Sequence, residues 1–247
     1  MTLPHDYSKL VEYYEVLEEG GADRNSFLEK ILKNYKANKV LDFTCGTGVQ
    51  TLWLTKKGYN VIGSDISSAM LKIAKQKAKD AKLNVKFYKG DMRSSKFGTF
   101  DAVITIFNAI GHLSKPDFEK TIRNIGNNLK KDGLYIFDIF DLEYMKKNFI
   151  TYKFFDVAKE IKDTKLVRTN NNRLDKENGL MLINQETFIQ EGLSKPKVFK
   201  ERWTMQIYSK AQLRDMLKKN GFEVIGQYGI DGSKIKGMYI LTVARKR

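Results

Sequence analysis

A strand-like run, Val40-Leu41-Asp42-Phe43, leads into Thr44-Cys45-Gly46-Thr47-Gly48 and then into a helical segment from Val49. Two glycines at such a junction allow backbone dihedrals closed to other residues and let a ligand approach the main chain. The turn alone is ambiguous, because several kinds of nucleotide-binding fold use one. Its spacing narrows the choice. Nicotinamide-binding turns want a third glycine three residues after the second, so that helix and sheet pack closely, and that position is Thr51. A triphosphate loop would need Gly-Lys-Ser/Thr, which this turn does not have. Asp65 closes a second strand, Ile62-Gly63-Ser64-Asp65, where a carboxylate can accept hydrogen bonds from both hydroxyls of a ribose. Asp91, in Gly90-Asp91-Met92 after a third strand, stands where an adenine amino group could donate to it. Polar groups at the carboxyl ends of successive parallel strands line one crevice, which is where such sheets bind ligands.

The elements that must position these groups alternate regularly. Residues 7–35 read as two helices, the first carrying Leu10, Tyr13, Tyr14 and Leu17 at helical spacing and ending at Gly20-Gly21. Strands are expected at 39–43, 60–64, 85–88, 101–106 and 134–139, with helices at 49–57, 67–81 and 117–129 between them. A turn at Lys131-Asp132-Gly133 precedes the fifth strand. Alternation of this kind predicts βαβ units with right-handed crossovers and a parallel sheet. It stops near Phe149. Between Tyr152 and Tyr208, turn signals such as Asn178-Gly179 separate β-rich runs at 166–169, 180–190 and 198–208, the pattern of an antiparallel insertion built from hairpins. A helix at 210–220 capped by Gly221, then strands at 222–228 and 238–244 joined as a hairpin, complete the pattern. The expected fold is α/β, a Rossmann-like, mostly parallel seven-stranded sheet with helices on both faces. The chain reads as one domain over 1–247, with an N-terminal helical lid at 1–38 and the antiparallel insertion at 152–208.

Composition removes several classes of function. An apolar fraction of 42% in 247 residues is globular, and a chain of this size buries about two-thirds or more of its unfolded surface without disulfides or metals. Cys45 is the only cysteine, and His5 and His112 the only histidines, so no metal site is expected. The first residues lack the basic and apolar regions of a signal peptide, and no apolar run approaches the ~20 residues that span a bilayer. The chain is expected to be soluble and cytoplasmic, with no membrane partner. The net charge of +15 is mostly lysine spread over helix surfaces, as in Lys72, Lys75, Lys77 and Lys79. Scattered lysine reads as a solvated face, and the charge leaves an anionic partner open without identifying one.

Asp42 to Gly48, Asp65, Ser68-Ala69-Met70-Leu71, Gly90-Asp91-Met92, Phe100-Asp101-Ala102-Val103 and the stretch 129–138 resemble the successive motifs of class I S-adenosylmethionine-dependent methyltransferases. Within that class, Cys45 to Val49, Phe100 to Ile104, Asn108 and His112-Leu113 look like glycine and glycine/sarcosine N-methyltransferases. Gly90-Asp91-Met92-Arg93 looks like the sugar-amine N-methyltransferases. The resemblance implies S-adenosyl-L-methionine as cofactor and S-adenosyl-L-homocysteine as product. By that likeness Asp42 supports the loop, Gly46 and Gly48 border the methionine part, and Asp65 holds the ribose. Asp91 and the Met92 main chain would hold the adenine, with Ile106 beside the sulfonium, and Cys45, Ile66 and Met70 complete the cofactor set. Arg24 matches an arginine that holds the cofactor carboxylate, for which a guanidinium fork is suited.

The likeness implies methyl transfer to a small-molecule acceptor, with an amine nitrogen the expected target. A protonated amine cannot attack, so its proton must go to water or to a base, and His112 is the best base candidate by its pKa range. His112 reads equally as a residue that packs or hydrogen-bonds its loop. Asn108 is a candidate for orienting substrate, and Tyr7, Tyr13 and Tyr14 for an N-terminal lid. One departure matters. An arginine that binds the substrate carboxylate in glycine N-methyltransferases aligns with Phe140, and a phenyl ring cannot pair with a carboxylate. Glycine is therefore not the expected acceptor, and an apolar or cationic one fits better. Two rivals stand beside this reading. An RNA-directed methyltransferase draws on the positive charge, but Asn108 is followed by Ala109 and Ile110 rather than the Pro-Pro-aromatic run of base-directed amino methyltransferases. A non-catalytic cofactor binder is the other.

Overall fold

The computed structural model describes residues 9–18, 22–151 and 153–247. Alternating apolar runs and amphipathic segments become α1 (Tyr14–Leu17), α2 (Ala22–Asn34), β1 (Lys39–Asp42), α3 (Val49–Lys56), β2 (Asn60–Asp65) and α4 (Ser68–Asp80). Then follow β3 (Lys86–Lys89), β4 (Phe100–Thr105), α5 (Lys115–Asn127), β5 (Leu129–Phe140) and α6 (Leu142–Asn148). The insertion supplies β6 (Phe154–Ile161), β7 (Thr164–Asn170), β8 (Arg173–Asp175), β9 (Leu180–Glu191) and β10 (Lys197–Gln206). The chain closes with α7 (Lys210–Lys219), β11 (Phe222–Tyr228) and β12 (Tyr239–Lys246). Serines start three of the helices. Ser67, Ser114 and Ser209 each accept a backbone N–H of the first turn, which satisfies a donor that the helix itself cannot.

Seven strands form the main sheet in the order β11-β12-β5-β4-β1-β2-β3. The β1, β2, β3, β4 and β5 pairings are parallel, and only β12 runs against its neighbours, slotted between β5 and β11. Buried strands need apolar residues on both faces, and register delivers them. Leu41 and Val103 are paired across β1 and β4 and join a cluster with Phe118, Ile122 and Ile125 of α5 and Leu213 and Leu217 of α7. Their neighbours Val40 and Ala102 turn the other way, toward Leu28, Ile31 and Leu32 of α2 and Leu54 of α3. The two-faced helical cover expected from the sequence is therefore present. The insertion forms a second sheet, antiparallel throughout, in the order β10-β9-β7-β6 with β8 on β9. Met181, Ile183, Trp203 and Met205 on its inner side pack with Phe140, Met145 and Phe149, which joins it to the end of β5 and to α6.

Several elements depart from the expected boundaries. The turn at Lys131-Asp132-Gly133 is an irregularity inside β5 rather than a break before it. Asp132 has φ of 62°, and the pairing with β4 slips between Phe100 and Ala102. α5 correspondingly stops at Asn127. α6 has no counterpart in the sequence reading; it starts because the Asp141 side chain accepts from Glu143 N–H. β6 also went unread, since an edge strand carrying Asp156, Lys159 and Glu160 does not look apolar. Upstream of Gly20, a short 3-10 turn at Val11–Tyr13 and the single turn α1 replace a continuous helix over the described residues.

Candidate functional site

At the end of β1 the Asp42 carboxylate is fully buried. It accepts the Thr51 hydroxyl at 2.7 Å and the backbone N–H groups of Thr44 and Thr51. Burial pushes its carboxyl up to about 7, against the pull of those hydrogen bonds. Thr51, standing where a dinucleotide turn wants glycine, thus ties α3 to the strand from which the turn springs. Gly48 has φ of 85°, and a Cβ there would lie 3.2 Å from the Ala74 Cβ of α4. Gly46 has φ of 51°, and an added Cβ would find no heavy atom within 4 Å. That Cβ would stand in a cavity of about 560 Å³, within the range of small-molecule sites.

Asp65, at the end of β2, closes the elbow from the other side. Its Oδ2 accepts Gly46 N–H at 2.9 Å and its Oδ1 accepts Ser67 N–H at 2.8 Å. Burial raises its proton affinity, and the N–H groups of Ser67, Gly46 and Ile66 oppose that shift. Ile66 is 59% exposed, an isolated apolar side chain at the rim, while Met70 is buried on the first turn of α4. Asp91 lies beyond β3, and Arg93 grips both its oxygens, with Nη2 at 2.6 Å and Nε at 3.0 Å. This guanidinium holds the Asp91 carboxyl below its ordinary range and also reaches Asp117 at 3.5 Å. The Met92 carbonyl accepts from Asn124. An adenine amino group would therefore meet a carboxylate already held by a neighbour, a pairing that two residues of spacing do not reveal.

Of the expected residues, Cys45, Gly46, Asp65, Ile66 and Met70 line the cavity, as do Asp91, Met92, Ile106 and His112. The Cys45 thiol is buried and its pKa driven up, so it serves as a wall and not as a nucleophile. His112 ends a 3-10 turn, Ala109–His112, whose Gly111 sits so near Met205 that a Cβ would come within 2.8 Å of the methionine methyl. Tyr7 lies outside the described residues. The donors and acceptors at the elbow, with Ile66, Met70 and Ile106 as apolar surfaces, fit an adenosyl group bearing an amino-acid tail. Among the described residues, no strand of the insertion lines the cavity.

Arg24, Asn108, Asp42 and Gly48 are not among the residues that line the cavity. Arg24 and Asp138 are both buried, with Nε 2.8 Å from Oδ2 in an ionic contact not aligned as a hydrogen bond. The guanidinium lies 4.0 Å over the ring of Phe107, which does line the cavity. Its Nη1 is buried with no hydrogen-bond partner among the described residues, the kind of donor a cofactor carboxylate would satisfy. Phe107 and Asn108 have φ of 62° and 55°, both left-handed, and both backbone N–H groups donate to Asp138. Burial raises the Asp138 carboxyl while Arg24 and these N–H groups oppose it. The Asn108 side chain hydrogen-bonds the Tyr239 phenol, whose pKa burial pushes up to about 12. Phe140 stacks on Tyr239 at 4.9 Å and does not reach the cavity.

Sequence reasoning missed Glu15 and Glu18, which with Tyr14 form an N-terminal wall of the cavity. Glu15 accepts the Thr47 hydroxyl of the glycine elbow and pairs with Lys77 of α4. Glu18 pairs with Arg168 of β7, whose Nη2 also donates to the Leu17 carbonyl at 3.1 Å. Tyr13 of the same segment donates to Glu191 of β9, and Lys159 of β6 donates to the Val16 carbonyl. Two acids three residues apart on a helical turn share a face, and that spacing is the signal that could have found them.

Comparison with known proteins agrees with this geometry. Residues 40–133 match a family described as "Methyltransferase domain". An uncharacterized protein of Methanocaldococcus jannaschii is 31% identical over 233 residues, 93% of this chain and 79% of its own length. Rat glycine N-methyltransferase is 30% identical over 139 residues, covering 50% of this chain and 47% of its own. A dTDP-3-amino-3,6-dideoxy-alpha-D-glucopyranose N,N-dimethyltransferase of Streptomyces fradiae is 31% identical over 140 residues, 53% of each chain. The chain thus spans about half the length of the named methyltransferases it matches. In fold, a crystal structure of an S-adenosylmethionine-dependent methyltransferase from Clostridium acetobutylicum superposes with a TM-score of 0.83. It covers 97% of this chain and 98% of its own at 19% identity.

Proposed function

The chain belongs to the class I S-adenosylmethionine-dependent methyltransferases, and on that premise we propose that it transfers the cofactor's methyl group to an amine nitrogen of a small molecule. One observation carries the reading. The glycine elbow, Asp65 and Ile66 converge on a single cavity whose other walls, Tyr14, Glu18 and His112, offer polar groups to a second ligand. The kinship to glycine and amino-sugar N-methyltransferases supports nitrogen as the target.

Bound S-adenosylmethionine supplies a methyl carbon activated by a positive sulfur. The chain's residues have to hold an uncharged amine in line with that carbon, and orientation of this kind is worth roughly 7–11 kcal/mol in favourable systems. Asp65 and the backbone of the elbow fix the nucleoside end. Asp138, by holding the Phe107–Asn108 corner, sets the wall against which the two ligands meet. An amine that arrives protonated would give its proton to His112 or to water before it is held in line with the methyl carbon. His112 faces the same cavity, which supports a proton-holding role.

The test is incubation with cofactor labelled in its methyl group against a panel of small amines and against total RNA. Label should pass to an amine and stay off RNA at moderate salt. Label appearing only in RNA, or in no pool at all despite cofactor binding, would overturn the proposal.

A further inference from the structure

Resting on the amine-transfer reading, we propose that Glu18, oriented by Arg168, first receives the acceptor as an ammonium ion, which gives up its proton to His112 or to water before it attacks, so that the enzyme takes amines lacking a carboxylate or phosphate beside the reacting nitrogen. The cavity has the opposite charge to the chain. Against a net +15, its lining among the described residues carries the carboxylates of Glu15, Glu18, Asp65, Asp91 and Asp117 and a single cation, Arg93. That cation is spent, bound to Asp91 at 2.6 Å and to Asp117 at 3.5 Å. An anionic substituent on the acceptor would enter with no positive side chain to meet it.

The five acids are not equivalent. Asp65 is engaged by two backbone N–H groups at the elbow, Asp91 by Arg93, and Asp117 by Arg93, Lys120 and the Ser114 hydroxyl. Glu15 is taken up by Thr47 and Lys77. Glu18 differs. Its Oε1 pairs with Arg168, and Oε2 meets no donor among the described residues, with the side chain 39% exposed. Arg168 is itself buried and divided between two acids, Glu18 and Asp156, so this group of three keeps a net negative charge. Because Arg168 also binds the Leu17 carbonyl, the main chain beside Glu18 is fixed as well. A carboxylate preorganised in this way attracts an ammonium without first paying to order itself, and it repels a carboxylate. The insertion strand β7 thereby enters acceptor choice through one arginine, although its strands do not line the cavity.

The experiment loads the protein with S-adenosylhomocysteine and titrates it calorimetrically with benzylamine and with phenylglycine, which adds a carboxylate at the carbon bearing the amine. Benzylamine should bind and phenylglycine should bind at least tenfold more weakly. Glu18→Gln keeps an acceptor for Arg168, so the wall stays folded, and it should weaken benzylamine by about tenfold or more while the affinity for S-adenosylhomocysteine is retained. Glu18→Asp should recover part of the loss. Equal binding of both probes, or a Glu18→Gln protein that binds benzylamine like the wild type, would overturn the inference. Those outcomes would leave the proposed transfer standing if labelled methyl still reaches an amine. Conversely, selective amine binding without any methyl transfer would count against the function and not against the charge preference.

Discussion

Replacing Asp138 by Asn should strand a buried charge. The native carboxylate is fully buried, lies 2.8 Å from Arg24 Nε, and accepts two backbone N–H groups from a corner held at φ of 62° and 55°. The amide oxygen of Asn can still accept from the backbone, so the corner persists while the guanidinium loses its counter-charge. Removing one partner of a buried pair costs about 3–5 kcal/mol. In a chain of this size, each 1 kcal/mol lowers Tm by roughly 2–4 °C, so a fall of about 6–20 °C is expected. Arg24→Met alone strands the carboxylate and should cost a similar amount. The double variant replaces the pair by uncharged groups and should lose far less than the sum of the two, because exchanging a buried pair for neutral side chains is often close to neutral. Urea unfolding followed by circular dichroism gives the three energies and hence the coupling. If the two losses add to within about 0.5 kcal/mol, the pair is not interacting and the reasoning is wrong.

Three further outcomes follow from the elbow. Asp42 has a folded-state pKa of about 7 against an ordinary 3.8, so the folded form keeps its proton longer than the unfolded one. Its stabilising contribution is complete below about pH 4 and is lost as pH rises toward 7. Denaturant titrations should therefore find the wild type losing stability relative to Asp42→Asn across that interval, and a difference independent of pH would refute the assignment. Gly48→Ala forces a side chain into φ of 85° and 3.2 Å from Ala74, and should lower stability by about 1 kcal/mol or more and weaken cofactor binding in equilibrium titration. Asp65→Asn removes a carboxylate that the elbow donors and a ribose would share. It should reduce S-adenosylmethionine affinity by about tenfold or more with little change in Tm, and an unchanged affinity would show that the acid does not touch the cofactor.

The glycine elbow and the acid that closes it are legible in the sequence because their parts are local. Asp42, Gly46, Gly48 and Asp65 each sit where a strand ends, and a strand end can be located from a short apolar run. The remainder depends on contacts between distant segments. Nothing near Asp91 says that Arg93 will fold back onto it rather than toward solvent. Arg24 and Asp138 belong to α2 and β5, and their meeting depends on how a helix crosses the sheet. The acid at position 138 did carry a trace, since a charge inside the otherwise apolar run 134–140 has to find a partner. Nothing in the residues around Glu15 and Glu18 marks them as cavity residues, and their partners Thr47, Lys77 and Arg168 lie far along the chain. The same holds for α6 and β6, whose composition is ordinary for surface loops.

Among the described residues, the insertion stays off the cavity walls and touches the site through a few side chains, chiefly Arg168 on Glu18 and Met205 under the His112 turn. Such a layout separates two jobs that are usually entangled. The strands of the second sheet can differ in length or position without contact to the glycine elbow, the part proposed to hold the donor molecule. Only the identity and reach of a handful of struts would change, and with them what the enzyme accepts, so the architecture suits a lineage that diversifies its clients while keeping its chemistry.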